Sequence, residues 1–123
     1  MRLASVLFLL GLLLSPFLAA RASAQSVLIS EMADPRLNYQ TDRFIEIYNA
    51  GGVAVDLAGW KVVAVGNSAD IFTWDLSGLI QPGEALVVGD ATTVVAFPVD
   101  FPQENWSNSN STWNGKVGDG AKL

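Results

Sequence analysis

The chain reads as an all-β domain, a sandwich or small barrel, on two observations. Short runs of β-branched and aromatic residues, such as Phe44-Ile45-Glu46-Ile47-Tyr48, recur at spacings of roughly ten residues with Gly, Pro, Asn or Asp between them. Beyond the first 24 residues no useful length of sequence repeats its apolar residues at a helical period, and residues 91–96 offer at most a turn or two.

The first 24 residues read as an address outside the fold. Met1-Arg2 is a short basic start, residues 3–20 are apolar apart from Ser5 and Ser15, and Ala22-Ser23-Ala24 fits a small-x-small cleavage site. Pro16 and the Ala-Ser-Ala site favour a cut signal peptide over a retained anchor, with cleavage after Ala24. The expected location is secreted or in the cell envelope, with no transmembrane segment after cleavage. Removing 24 of 123 residues leaves 99, room for one domain (25–123) with a modest core.

Each element then has a local reason. Val27-Leu28-Ile29-Ser30-Glu31 is an apolar run of strand length, and residues 32–42, with Asp34-Pro35, form a polar loop. Phe44 to Tyr48 carries apolar residues on both faces and is expected to be an interior strand covered on two sides. Asn49-Ala50-Gly51-Gly52 supplies a turn in which both glycines are free to take positive φ. Val53 to Asp56 is a short strand, and Asp56-Leu57-Ala58-Gly59 has the preferred ends of a type I turn. Trp60 to Gly66 puts Trp60, Val62 and Ala64 on one face, residues 66–70 read as a loop, and Ile71 to Leu76 is the next strand. Gln81-Pro82-Gly83-Glu84 is a type II turn into the buried strand Ala85 to Gly89. After Phe97 the strand pattern fades into a stretch with Pro98, Pro102 and an Asn/Ser-rich run holding Trp106 and Trp113. Gly115 to Gly120 is turn-prone, and Ala121-Lys122-Leu123 opens a strand, so the sequence reads as cut at its C-terminal edge, the N-terminal part of a longer protein.

Composition narrows function. Loss of Arg2 and Arg21 with the leader takes the net charge from −5 to −7, and such a surface repels phosphate backbones and anionic membranes, so nucleic acid is not an expected partner. Without cysteine the domain relies on packing, which suits a bacterial exported protein. Without histidine it has no His-based triad, His–metal site or His acid–base group.

Leu28-Ile29-Ser30-Glu31, a variable loop, Phe44-Ile45-Glu46-Ile47-Tyr48-Asn49 and Val55-Asp56-Leu57-Ala58-Gly59-Trp60 together resemble the lamin tail domain family. Gln81-Pro82-Gly83-Glu84 with its apolar strand is similar to that family's Pro-Gly turn, and Gly118-Asp119-Gly120-Ala121-Lys122-Leu123 to its Gly-Asp turn and strand. The resemblance implies an immunoglobulin-like β-sandwich used as an accessory or adhesion module. Bacterial members are typically exported and often sit beside extracellular nuclease, phosphatase or other hydrolase domains. Lys116-Val117 stands where the family usually has an Asn before the Gly-Asp turn, and the strands that follow that turn in the family lie beyond Leu123.

Two constellations could carry chemistry. Glu31, Asp42, Glu46 and Asp56 offer oxygens for Ca2+, although the dense Asp-x-Asp-x-Asp-Gly spacing is absent. The plainer reading makes Glu46 an acceptor for hydroxyl or backbone donors and Asp56 a turn cap. Nothing marks a cleft for a glycosidase pair. Trp106 and Trp113, among Asn and Ser, could stack on a carbohydrate, or could plug a polar segment onto the sandwich. Asn105-Trp106-Ser107 and Asn110-Ser111-Thr112 match the glycosylation pattern, relevant in a eukaryotic source. No Gly-x-Ser-x-Gly elbow or phosphate-cradling loop is present. The sequence therefore points to a non-catalytic exported module for binding, adhesion or scaffolding, with a protein or cell-surface partner. The alternatives are an accessory domain of a secreted nuclease or phosphatase, and a carbohydrate-binding module.

Overall fold

The computed structural model of the chain describes residues 26–93, 98–104, 106 and 112–123. The leader with its cleavage site, half of the turn-or-two expected at 91–96, and much of both glycosylation motifs lie outside the described residues. The described elements run β1 (Val27–Ala33), α1 (Tyr39–Asp42), β2 (Phe44–Asn49), β3 (Val55–Asp56), β4 (Lys61–Gly66), β5 (Ala69–Asp75), β6 (Leu79–Ile80), β7 (Ala85–Gly89), β8 (Phe101–Pro102) and β9 (Gly120–Lys122). One sheet has the order β1-β2-β7-β8, a second β5-β4-β9, and β3 pairs with β6. Every pairing is antiparallel except that of β7 with β8.

The alternation of each strand builds the core. Ile45 and Ile47 of β2 and Val88 of β7 join Val62 and Ala64 of β4 and Trp74 of β5 in one buried cluster, which Leu57, Leu76 and Ile80 extend. Burying each such Ile, Leu or Val is worth about 1.5–3 kcal/mol. The cluster continues as a file of rings: Trp74 lies 4.9 Å from Phe72 and 4.8 Å from Trp106, and Trp106 lies 5.3 Å from Trp113. The two main sheets thus share one interior, the sandwich that the strand spacing predicts.

Several local expectations shift. β1 runs two residues past Glu31, and the loop that follows includes a helical turn at Tyr39–Asp42. Residues 66–70 form a tight hairpin turn at Asn67-Ser68, with β5 starting at Ala69. Gly51 and Gly52 do not have positive φ; the turn is organised instead by the buried Asn49, whose Oδ1 accepts from Gly51 N at 2.9 Å and whose Nδ2 donates to Val53 O and Ile80 O. The turn after β3 closes one residue later than expected, through Trp60 N to Leu57 O at 2.9 Å. That register makes Gly59 the third residue, where its φ of 83° is that of a type II turn. β2 is interior to its sheet, but only its Ile45 and Ile47 face is fully buried; Glu46 and Tyr48, on the other face, are half-buried.

Arg43, at the start of β2, ties the β1–β2 loop to the C-terminal segment. Its side chain is buried, with Nε donating to Asp34 Oδ1 at 2.6 Å, Nη2 donating to Trp113 O at 3.3 Å, and its guanidinium 4.9 Å from the centre of the Tyr39 ring.

Candidate functional site

The outer face of the four-stranded sheet carries a groove that begins with an irregularity in β1. Ile29 pairs with Ile47, and the next paired residue is Glu31, opposite Glu46; Ser30 is the extra residue of a β-bulge. Without the bulge, period two would put Glu31 on the same face as Ile29, over the core. The bulge turns it outward, directly across from a second carboxylate. On the other side of β2, Glu46 faces Val87, and Phe44 faces Gly89.

The cavity there is about 400 Å³. Phe44, Ala85 and Val87 give it an apolar floor, Pro98 lies at its side, and Glu31, Glu46, Glu84 and Asp100 supply four carboxylates. Three of these are held in place. Glu46 Oε1 accepts from Ser30 Oγ at 2.6 Å, Glu84 Oε2 from Gln81 N at 2.6 Å, and Asp100 Oδ2 from Val87 N at 2.8 Å. None of the four forms an ion pair among the described residues, where Arg43 pairs with Asp34, Lys61 with Asp75 and Lys122 with Asp70. Like charges directly opposite on neighbouring strands are destabilising, so the Glu31–Glu46 pair costs the free domain some stability. Acids over an apolar floor suit a ligand with a cationic head and an aliphatic stem.

Of the four oxygen donors picked out from the sequence, the structure brings Glu31 and Glu46 together. Asp42 ends α1, with Oδ1 accepting from Thr41 Oγ1 and Thr93 Oγ1, and Asp56 Oδ1 accepts from Ala58 N. Among the described residues no group of three or more Asp, Glu, His or Cys side chains could hold a metal ion. Trp106 and Trp113 are 2% and 5% exposed, packed edge-on to one another in the core. Neither ring presents the open face that stacking on a sugar requires. The sequence does not single out Glu84 or Asp100 as a site residue. Glu84 is visible in sequence only as the end of a Pro-Gly turn. Asp100 reaches β7 because its own backbone N donates to Val87 O at 2.9 Å while its carboxylate takes Val87 N, and no local pattern signals that contact.

The ordered strands and turns match the family model described as Lamin Tail Domain over residues 20–123. The chain belongs to the lamin tail domain family. Lamin tail domains are an immunoglobulin-like, non-enzymatic family, and the sandwich observed here is the fold that membership implies. Comparison with curated proteins gives no match. No helix among the described residues is long and apolar enough to cross a membrane.

Proposed function

We propose that this lamin tail domain is an exported, non-catalytic binding module that engages a protein or cell-surface partner through the groove beside β2, by taking a Lys or Arg side chain of that partner. The leader and its Ala-Ser-Ala site support export. One observation carries the binding reading: four carboxylates, none in an ion pair among the described residues, line a cavity of about 400 Å³ with an apolar floor. The stem of the incoming side chain would lie on Phe44 and Val87 and its head among the acids. Groove charges of this kind act on association rate and salt dependence as much as on affinity.

The test is fluorescence anisotropy with labelled peptides that carry Lys or Arg among aliphatic residues, against Gln-substituted controls, at low and high salt. Cationic peptides are expected to bind the secreted protein, more weakly as salt rises. Glu31→Gln, a change at a side chain that makes no hydrogen bond among the described residues, is expected to weaken binding several-fold, about 1 kcal/mol. Equal binding of cationic and neutral peptides, or no response to Glu31→Gln, counts against the groove.

A further inference from the structure

Asn114-Gly115 is the one Asn-Gly pair in the chain, and it lies on the exposed turn between Trp113 and β9. We propose that this turn is a self-modification site, at which the Gly115 backbone nitrogen attacks the Asn114 carboxamide and converts it through a succinimide. The inference is independent of the groove.

Three features of the turn assemble the reaction. The nucleophile is unobstructed: Gly115 has no Cβ, and its φ of 79° is one that other residues rarely adopt. The Gly115 N–H donates to Asp119 Oδ2 at 2.9 Å, so a carboxylate stands at the proton that must leave as the nitrogen attacks. The Asn114 Oδ1 already accepts from Lys116 N at 3.1 Å, so the oxygen that becomes an oxyanion has a donor in place. Asp119 is itself positioned by the neighbouring hairpin, through Asn67 N to its Oδ1 at 2.9 Å.

The step balances without an added reagent other than water. A bond forms from Gly115 N to Asn114 Cγ, and the Cγ–Nδ2 bond breaks. The Gly115 proton passes by way of Asp119 to Nδ2, which leaves as ammonia. Water then opens the five-membered ring at either carbonyl, leaving an aspartyl or an isoaspartyl linkage at position 114.

The other described asparagines are held differently. Asn49 is followed by Ala50, and its buried amide nitrogen donates to two carbonyls. Asn38 and Asn67 are followed by Tyr39 and Ser68, whose side chains crowd the attacking nitrogen.

The product has a structural consequence. Ser68 N donates to Gly118 O at 2.9 Å, and Trp113 Nε1 to Gly120 O at 2.9 Å, so the turn is stitched both to the β4–β5 hairpin and to the first residue of β9. An added negative charge beside Asp119, or an extra main-chain carbon, loosens both attachments.

Ageing the purified protein at mildly alkaline pH, with peptide mapping by mass spectrometry and enzymatic labelling of isoaspartate, tests the proposal. Modification is expected at Asn114 ahead of every other asparagine, and faster in the folded protein than in the same chain in urea. That comparison needs no variant. An equal or faster reaction in urea overturns the proposal, because the folded turn would then be a brake. Asp119→Ala, which removes the carboxylate without creating a second Asn-Gly pair, is expected, with folding checked by circular dichroism, to slow the reaction by about tenfold or more. An unchanged or faster rate overturns the role given to Asp119.

Discussion

The indole nitrogens of the buried tryptophans differ although their rings share one core. Trp113 Nε1 donates to Gly120 O, whereas Trp74 Nε1 and Trp106 Nε1 are buried with no hydrogen-bond partner among the described residues. An unpaired buried donor costs about 1–3 kcal/mol, so a change to Phe at Trp74 or Trp106 removes a penalty along with some packing. At Trp113 the same change instead deletes a donor that is paired, to Gly120 O. Trp113→Phe is therefore expected to be more destabilising than Trp106→Phe by about 1 kcal/mol, read from urea midpoints. Equal midpoints would remove the special place given to the Trp113 bond. The sequence shows these tryptophans as anchors for a polar segment; which indole is paired depends on where β9 brings the Gly120 carbonyl.

At the scale of elements, β1 carries the feature that makes the groove. Its bulge at Ser30 sets Glu31 opposite Glu46, and no ion pair among the described residues offsets that repulsion. Glu31→Lys is expected to raise stability by about 0.5–1 kcal/mol and to abolish binding of cationic peptides. Thermal melts and anisotropy on the same variant check both halves; a lower melting temperature would mean the two carboxylates are not in conflict. The strand itself is legible from Val27-Leu28-Ile29, because apolar alternation is local. The bulge is not, since a one-residue slip is defined only against β2. The turn at Gly59 follows the same logic: its residues are readable, while its register depends on Trp60 N meeting Leu57 O.

Across the whole molecule, strand order decides which residues meet. β7 lies beside β2 rather than beside β6, and β8 joins it in parallel, so Glu84 and Asp100 come to the same groove as Glu31 and Glu46 from distant parts of the sequence. Asp42 and Asp56 stay on other elements, so the four sequence candidates do not make one cation site. Melting curves in calcium and in chelator are accordingly expected to coincide. A higher midpoint in calcium would require an oxygen cluster beyond those described.

The sequence by itself determined the β class, most strands, the Pro-Gly turn, the acidic balance and the family. Each of these follows from properties of neighbouring residues: period two, the φ preferences of Gly and Pro, and formal charge. Only the tertiary structure decided that Glu31 faces outward, that Glu84 and Asp100 join it, and that Trp106 and Trp113 lie inside. Those facts depend on pairings between strands far apart in sequence, where the energy of a closed core selects among arrangements that local pattern leaves equal.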